Sequence, residues 1–363
     1  MTQRTGCRHR EEKMHKKPIK EIEYRRFSWK THRKNWSLKK SSVCQFELTF
    51  GCGLHCRHCY TDCYNKRPYL KKELGTNEVK SLLDKISRAG ILWLCLTGGD
   101  PLTKRDFPDI YSYAKNKGFL ITLFTNGYSM TPEIAGLLKR RPPFAIETTL
   151  NAATEDLYEK ISGIKGSYAK ALKGISMVLK ALLPLKIKTQ VTADNFSELP
   201  RIKNFIESMG LKFHPSVDLY ARLNGDTAPC KLRIPAQEAL NLNGRRPTEN
   251  ECRLSRKDQD TGLFNCTISG GDGIYIDPYG NLLPCQLIRE PAFDLLGRDI
   301  EYARSRVLEY LESLGFASGS KCNGCDLRPA CHWCPGRAYV ETGRVDAPVG
   351  YYCGLAKAWK RSI

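Results

Sequence analysis

The chain has 363 residues, 41% hydrophobic and 26% charged, which is enough apolar material for one large or two ordinary folded domains. Its 17 Tyr and 13 Phe exclude a disordered chain. The most apolar uncharged stretch, Ala89 to Gly99, has only eleven residues, far short of the roughly 20 a membrane helix requires. Charge begins at Arg4 with no apolar targeting segment after it, which predicts a cytoplasmic protein with no membrane association.

The excess of 58 Lys and Arg over 38 Asp and Glu gives a net charge of +20, a balance that raises a nucleic-acid partner. Half of it lies in residues 1–40, where 14 Lys or Arg meet four Glu. No RNA-recognition motif accompanies it. An RNA-binding or RNA-modifying iron–sulfur protein therefore stands only as the alternative from another class.

Residues 1–42 read as a basic arm or short helix, interleaved with Tyr24, Phe27, Trp29 and Trp36, that packs on another surface. From 43 to 219 strands and helices alternate. β-Branched-rich apolar runs occur at 43–50, 91–97, 119–125, 144–150, 185–193 and 211–219. Between them, 3.6-residue periodicity predicts helices at 78–88, 107–116, 132–139, 154–183 (interrupted near 163–166) and 198–209. Gly90, Gly118 and Gly210 stand where helix C-caps belong. Six strands alternating with helices imply a parallel sheet, either doubly wound or a partial (β/α)6 barrel. In both cases ligands gather at the carboxyl ends of the strands. Residues 220–260 are polar and Pro-punctuated, a bridge. A hairpin is predicted over 273–285, turning at Asp277-Pro278-Tyr279-Gly280-Asn281, followed by a largely helical 294–314 and a Cys-rich, loop-dominated 322–353.

Sixteen cysteines without a secretory signal point to metal or iron–sulfur ligands, not to disulfides. Cys52, Cys56 and Cys59 follow the first strand in a Gly-containing loop. Three thiolates so spaced can wrap one face of a four-iron cluster and leave one iron open; a zinc site completed by His55 or His58 is the competing reading. After the second strand, Gly98-Gly99-Asp100-Pro101 allows backbone to approach a ligand closely.

Taken together, Cys-x3-Cys-x2-Cys after strand one and Gly-Gly-Asp-Pro after strand two resemble the radical S-adenosylmethionine (SAM) enzymes. The resemblance covers residues 43–219. It implies a partial (β/α)6, TIM-like barrel, a [4Fe–4S] cluster on Cys52, Cys56 and Cys59, and SAM on the open iron. One electron then yields methionine and a 5′-deoxyadenosyl radical that abstracts a substrate hydrogen. Gly98, Gly99 and Asp100 match the segment that meets the methionine amino group. Thr125, Asn126 and Asn151 resemble ribose-contacting positions, and His58 would lie near the adenine.

The C-terminal cysteines (Cys266, Cys285, then Cys322-x2-Cys325-x5-Cys331-x2-Cys334, then Cys353) resemble the SPASM extension of such enzymes, with x2 where its last spacing usually has x3. The resemblance implies a small Cys-rich domain at 261–363 with two auxiliary [4Fe–4S] clusters. Cys322, Cys325, Cys331 and Cys353 would hold one, and Cys266, Cys285 and Cys334 the other. Asp260 stands where a further ligand is sometimes supplied; Cys252 is a candidate, against an open iron.

Enzymes so built mostly modify peptides or proteins, which implies a maturase that crosslinks, epimerises or oxidises a residue. A flavodoxin- or ferredoxin-type electron donor and a separate leader-binding protein are its expected partners, and the basic arm would suit an acidic peptide. Oxidation of a small precursor such as haem or a quinone is the alternative. Cys230, in the bridge, is a candidate hydrogen donor for epimerisation.

Overall fold

The structure, a computed structural model, describes residues 23–38, 40–242, 263–264, 266, 272–328 and 331–361. Cys252 and Asp260, and most of the expected arm, lie outside the described residues. The strands are β1 Val43–Thr49, β2 Trp93–Gly98, β3 Leu120–Thr125, β4 Ala145–Thr149, β5 Leu185–Gln190, β6 Phe213–Ser216, β7 Gly273–Ile276, β8 Asn281–Leu283 and β9 Phe293–Asp294. The helices are α1 Tyr24–Ser37, α2 Arg67–Leu70, α3 Thr76–Arg88, α4 Phe107–Asn116, α5 Pro132–Arg140, α6 Glu155–Ser162, α7 Ser167–Lys180, α8 Leu199–Ser208, α9 Ala236–Leu242, α10 Ile300–Ser313, α11 Pro335–Thr342 and α12 Gly350–Lys360.

All strands belong to one sheet in the order β6-β5-β4-β3-β2-β1-β7-β8-β9. The first six run parallel, as the βα alternation predicts, and β7 adds to β1 in parallel as well. The expected hairpin forms between β7 and β8. It does not stand apart in a second domain but extends the barrel sheet past β1. Asp277 sets its turn by accepting hydrogen bonds from the N–H groups of Tyr279 (3.0 Å) and Asn281 (2.8 Å), and Gly280 supplies the positive φ of 84°.

Alternation along each strand decides which residues face the helices. Phe46, Leu48, Leu94, Leu96, Ile121, Leu123, Ile146 and Ile187 are fully buried under them. The intervening residues (Gln45, Glu47, Cys95, Thr97, Phe124, Glu147, Lys186, Lys188) line the inner face. The interruption predicted within the helix at 154–183 falls at Gly163 and Gly166, both with φ above 70°, which divide it into α6 and α7. One point departs from expectation: the Cys-rich end is less loop-like than its composition implies. Pro335 starts α11, Cys334 Sγ accepts from Arg337 N–H, and α12 buries Tyr352, Leu355 and Trp359.

The described part of the arm is α1, and it closes the amino ends of the strands. His32 stacks on Trp93 at 4.4 Å, its Nδ1 lies 3.0 Å from Asp272, and Trp93 Nε1 donates to the Tyr24 hydroxyl at 3.0 Å. Trp93 is the first residue of β2, so α1 sits at the end of the sheet opposite Gly98. That placement keeps it away from any substrate bound at the carboxyl ends.

Candidate functional site

At the carboxyl end of β1 the chain turns into the loop bearing Cys52, Cys56 and Cys59. The backbone there is pinned from several sides. Asn65 Oδ1 accepts from Cys52 N–H at 3.2 Å while its Nδ2 donates to Cys52 O at 3.0 Å. His55 N–H and Arg57 N–H donate to the last carbonyls of α6, Ser162 O and Ile161 O, and the Arg57 guanidinium meets Asp194 at 2.6 Å. Gly53 leaves room for Tyr128, whose ring a Cβ would meet at 2.5 Å.

The two glycines after β2 have an equally local reason. A Cβ on Gly98 would stand 2.0 Å from Thr49 O, and one on Gly99 would stand 2.4 Å from Gly51 O. Their absence lets β2 pack directly against the Cys loop, with Gly99 N–H donating to Thr49 O and Asp100 N–H to Gly51 O. Asp100 is fully buried and its carboxylate accepts from Leu102 N–H, Asn126 N–H and the Thr125 hydroxyl. Burial still raises it to about 6. Its side chain and the Thr125 hydroxyl are engaged within the protein, so a ligand would meet backbone here.

Asn126 reaches the Cys loop itself, its Nδ2 donating to Cys52 Sγ at 3.3 Å. Asn151 accepts from Gln190 N–H through its side-chain oxygen. His58 Nδ1 is buried without a hydrogen-bond partner among the described residues, and burial lowers the ring to about 4. It is therefore a neutral imidazole with an unused polar atom beside the thiols.

Burial pushes the Cys52 thiol up to about 12. It also raises Cys56 and Cys59, and Cys56 is raised further by Cys59 and Cys52 beside it. Such thiols stay protonated until a cation displaces the protons. A cube of four irons takes one thiolate on each of three separate irons and leaves the fourth open, and three half-buried thiols with an orphan imidazole nearby in the loop fit that cluster and its ligand.

The C-terminal cysteines form the second constellation. All seven (Cys266, Cys285, Cys322, Cys325, Cys331, Cys334 and Cys353) line one cavity of about 520 Å³. They come from segments up to 87 residues apart, brought together by β8, α11 and α12. Their mutual influences run in two sets. Burial raises Cys285 to about 12, and Cys334 and Cys266 raise it further; Cys266 also raises Cys334. Burial raises Cys331 to about 11, with Cys353, Cys322 and Cys325 adding to it, while Cys353 and Cys325 act on Cys322. The described thiols thus divide into a three and a four.

Sequence reasoning missed the residues joining the two constellations. Glu47 on β1 is held by both guanidinium arms of Arg289, at 2.6 and 2.9 Å, just past Cys285. Tyr60, next to Cys59, lies edge-on to Tyr220 at 6.0 Å, and Arg337 stacks on Tyr220 at 5.3 Å. Polar residues alternating with apolar ones on the strands are the only sequence signal for this inner face. Cys230 packs, as does Cys285, against the small cluster of Ala221, Leu287 and Val340, its Sγ donating to Glu341 at 3.5 Å and burial raising it to about 12.

Comparison with known proteins agrees with this geometry. Residues 46–193 match the family described as the Radical SAM superfamily. An AdoMet-dependent heme synthase of Methanosarcina barkeri is 26% identical over 330 residues, covering 82% of this chain and 92% of its own. The mycofactocin maturase MftC of Mycobacterium tuberculosis is 25% identical over 253 residues, 66% of this chain and 63% of its own. Among solved structures, Streptococcus suis SuiB bound to the precursor peptide SuiA superposes with a TM-score of 0.66 at 13% identity, covering 88% of this chain and 78% of SuiB. That likeness establishes the partial-barrel fold with its C-terminal extension. No described helix is long and apolar enough to cross a membrane.

Proposed function

Residues 46–193 make this chain a radical SAM enzyme, and on that premise we propose that it is a peptide maturase acting in the cytoplasm on a ribosomally made peptide or protein. The observation carrying the reading is the seven-thiol cavity of this chain, joined to the barrel through β7 and β8, in a fold like that of SuiB, which was solved with a precursor peptide bound. Cys52, Cys56 and Cys59 would hold a four-iron cluster that, with SAM bound, would supply radical chemistry for hydrogen abstraction from the substrate. Asn126 donates to Cys52 Sγ and favours its thiolate. His58 offers its unpartnered Nδ1 to the adenine side, and Gly98 and Gly99 offer backbone carbonyls to the methionine end, beside Asp100, whose own N–H and C=O are taken by Gly51 and Thr103. Asn126 and Asn151 are the remaining ribose-side candidates, whereas the Thr125 hydroxyl acts indirectly by holding Asp100.

In this reading Cys322, Cys325, Cys331 and Cys353 bind one auxiliary [4Fe–4S] cluster and Cys266, Cys285 and Cys334 another, the latter with Cys252 or an open iron. Cys230 remains a thiol at neutral pH, as a hydrogen-atom donor must. A flavodoxin- or ferredoxin-type protein supplies electrons, and a separate chain presents the leader. The test is anaerobic reconstitution with iron, sulfide, SAM and dithionite, followed by mass spectrometry of a co-encoded small peptide. The reading predicts 5′-deoxyadenosine and a changed peptide mass; no 5′-deoxyadenosine would refute it. Running the reaction in deuterated water with Cys230→Ala tests the donor, which predicts solvent deuterium in the wild-type product and none in the variant.

A second reading has its own support. The match to the heme synthase runs over nearly that protein's whole length, which favours oxidation of a haem precursor by the same radical. An unmodified peptide alongside a consumed tetrapyrrole would select it.

A further inference from the structure

The inner face of the sheet carries one charge imbalance that neither constellation uses. Lys186 and Lys188 alternate with buried Ile187 on β5, so both point inward, and both pair with the same carboxylate, Glu147 of β4. Glu47, another inward carboxylate, is already matched by Arg289. One carboxylate therefore faces two ammonium groups. Glu147 has only 16% of its side chain exposed, whereas Lys186 and Lys188 keep 42% and 40%, so the cationic heads can be reached from outside. From β6, His214 stands in register with Lys188, and burial, then Lys186, lowers its affinity for a proton. Among the described residues no second carboxylate pairs with Lys186 or Lys188. Phe124 lies 4.7 Å beneath Lys188 Nζ and gives the spot an apolar floor.

Cys95 of β2 reports how far this charge reaches. It feels both Glu147 and Lys188, although β2 and β5 are three strand spacings apart, about 14 Å along a flat sheet. Both lysine side chains extend toward Glu147 on β4, which brings their charge one strand nearer to Cys95.

We propose that Lys186 and Lys188 form the anion-recognition site of the substrate cleft, taking a carboxylate carried by the substrate, with Glu147 as the internal partner that holds them in its absence. This deepens the radical SAM reading and rests on it for the cleft's purpose. The shared chemistry is a carboxylate. Its source is an Asp or Glu side chain of a peptide or a propionate of a tetrapyrrole.

The experiment measures binding to the anaerobically reconstituted holoenzyme with SAM. Two probe pairs are used: a fluorescein-labelled Asp/Glu-containing peptide against its Asn/Gln counterpart, and coproporphyrin III against its tetramethyl ester. In the wild type at least one carboxylate probe should bind about tenfold more tightly than its neutral counterpart. Lys186→Met with Lys188→Met should erase that ratio, while Lys186→Arg with Lys188→Arg should retain it, which separates charge from folding. Which pair discriminates identifies the source. The proposal is overturned if neither pair discriminates in the wild type, or if the ratio survives in the double Met protein. Absence of 5′-deoxyadenosine from the wild type would refute the radical reading instead, without altering the ratio.

Discussion

The two thiol constellations are built in opposite ways. Cys52, Cys56 and Cys59 occupy eight consecutive positions, and their surroundings are made by the adjoining strand ends: Asn65, Asn126, Gly98 and the last turn of α6. The seven C-terminal thiols share one cavity only because the sheet is extended beyond β1 and two helices close over it. A local site tolerates few changes of any kind in its loop. An assembled site fails when its scaffold loosens, even if every ligand is intact.

The largest test of that contrast removes ligands from each. Replacing Cys52, Cys56 and Cys59 by Ala should abolish 5′-deoxyadenosine formation yet leave about two thirds of the iron, read by colorimetric iron analysis. Cys285→Ala should instead lose about one third. If the triple variant loses all its iron, the two sites do not assemble independently and the contrast breaks.

Gly98→Ala comes next. Its φ of 140° and a Cβ only 2.0 Å from Thr49 O leave no room without moving β2 off the Cys loop, at a cost of about 3 kcal/mol or more. Thermal unfolding should show the loss together with reduced iron uptake at the first site and normal uptake in the cavity.

The tie between the regions is the buried Glu47–Arg289 pair. Glu47→Gln leaves an uncompensated buried guanidinium and should destabilise by roughly 3 kcal/mol. Glu47→Leu with Arg289→Leu should cost clearly less. Chemical denaturation of all three proteins decides whether the pair itself, or only its imbalance, matters.

A smaller effect sharpens the local side. Asp100 is raised to about 6 by burial, above the usual carboxyl range. The folded state thus binds its proton more tightly than the unfolded chain does. Its contribution to stability is complete below about pH 4 and lost as pH rises through 6, on the order of 2–3 kcal/mol. Asp100→Asn should flatten that slope in urea unfolding followed from pH 4 to 7.

Much of the molecule was legible in the residue order because the relevant interactions are short in sequence. Six strands, the helix interruption at Gly163 and Gly166, the hairpin turn at Asp277 and the first Cys loop all follow from periodicity, positive-φ glycines and tight spacing. The grouping of the C-terminal thiols is what the family resemblance implies; their spacings alone do not assign Cys334 to Cys266 and Cys285. Tertiary structure decided the rest. It moved the hairpin into the barrel sheet, because β1 would otherwise expose an unpaired edge, and it turned α1 onto the amino ends of the strands, because Trp93 and Asp272 offer His32 and Tyr24 their partners there. The pairings of Glu47 with Arg289, 242 residues away, and of Glu147 with lysines on the next strand depend on register and curvature. No local pattern encodes which inward polar residues will meet, since alternation determines only the face a side chain takes, and the neighbour it finds is set by how the strands align.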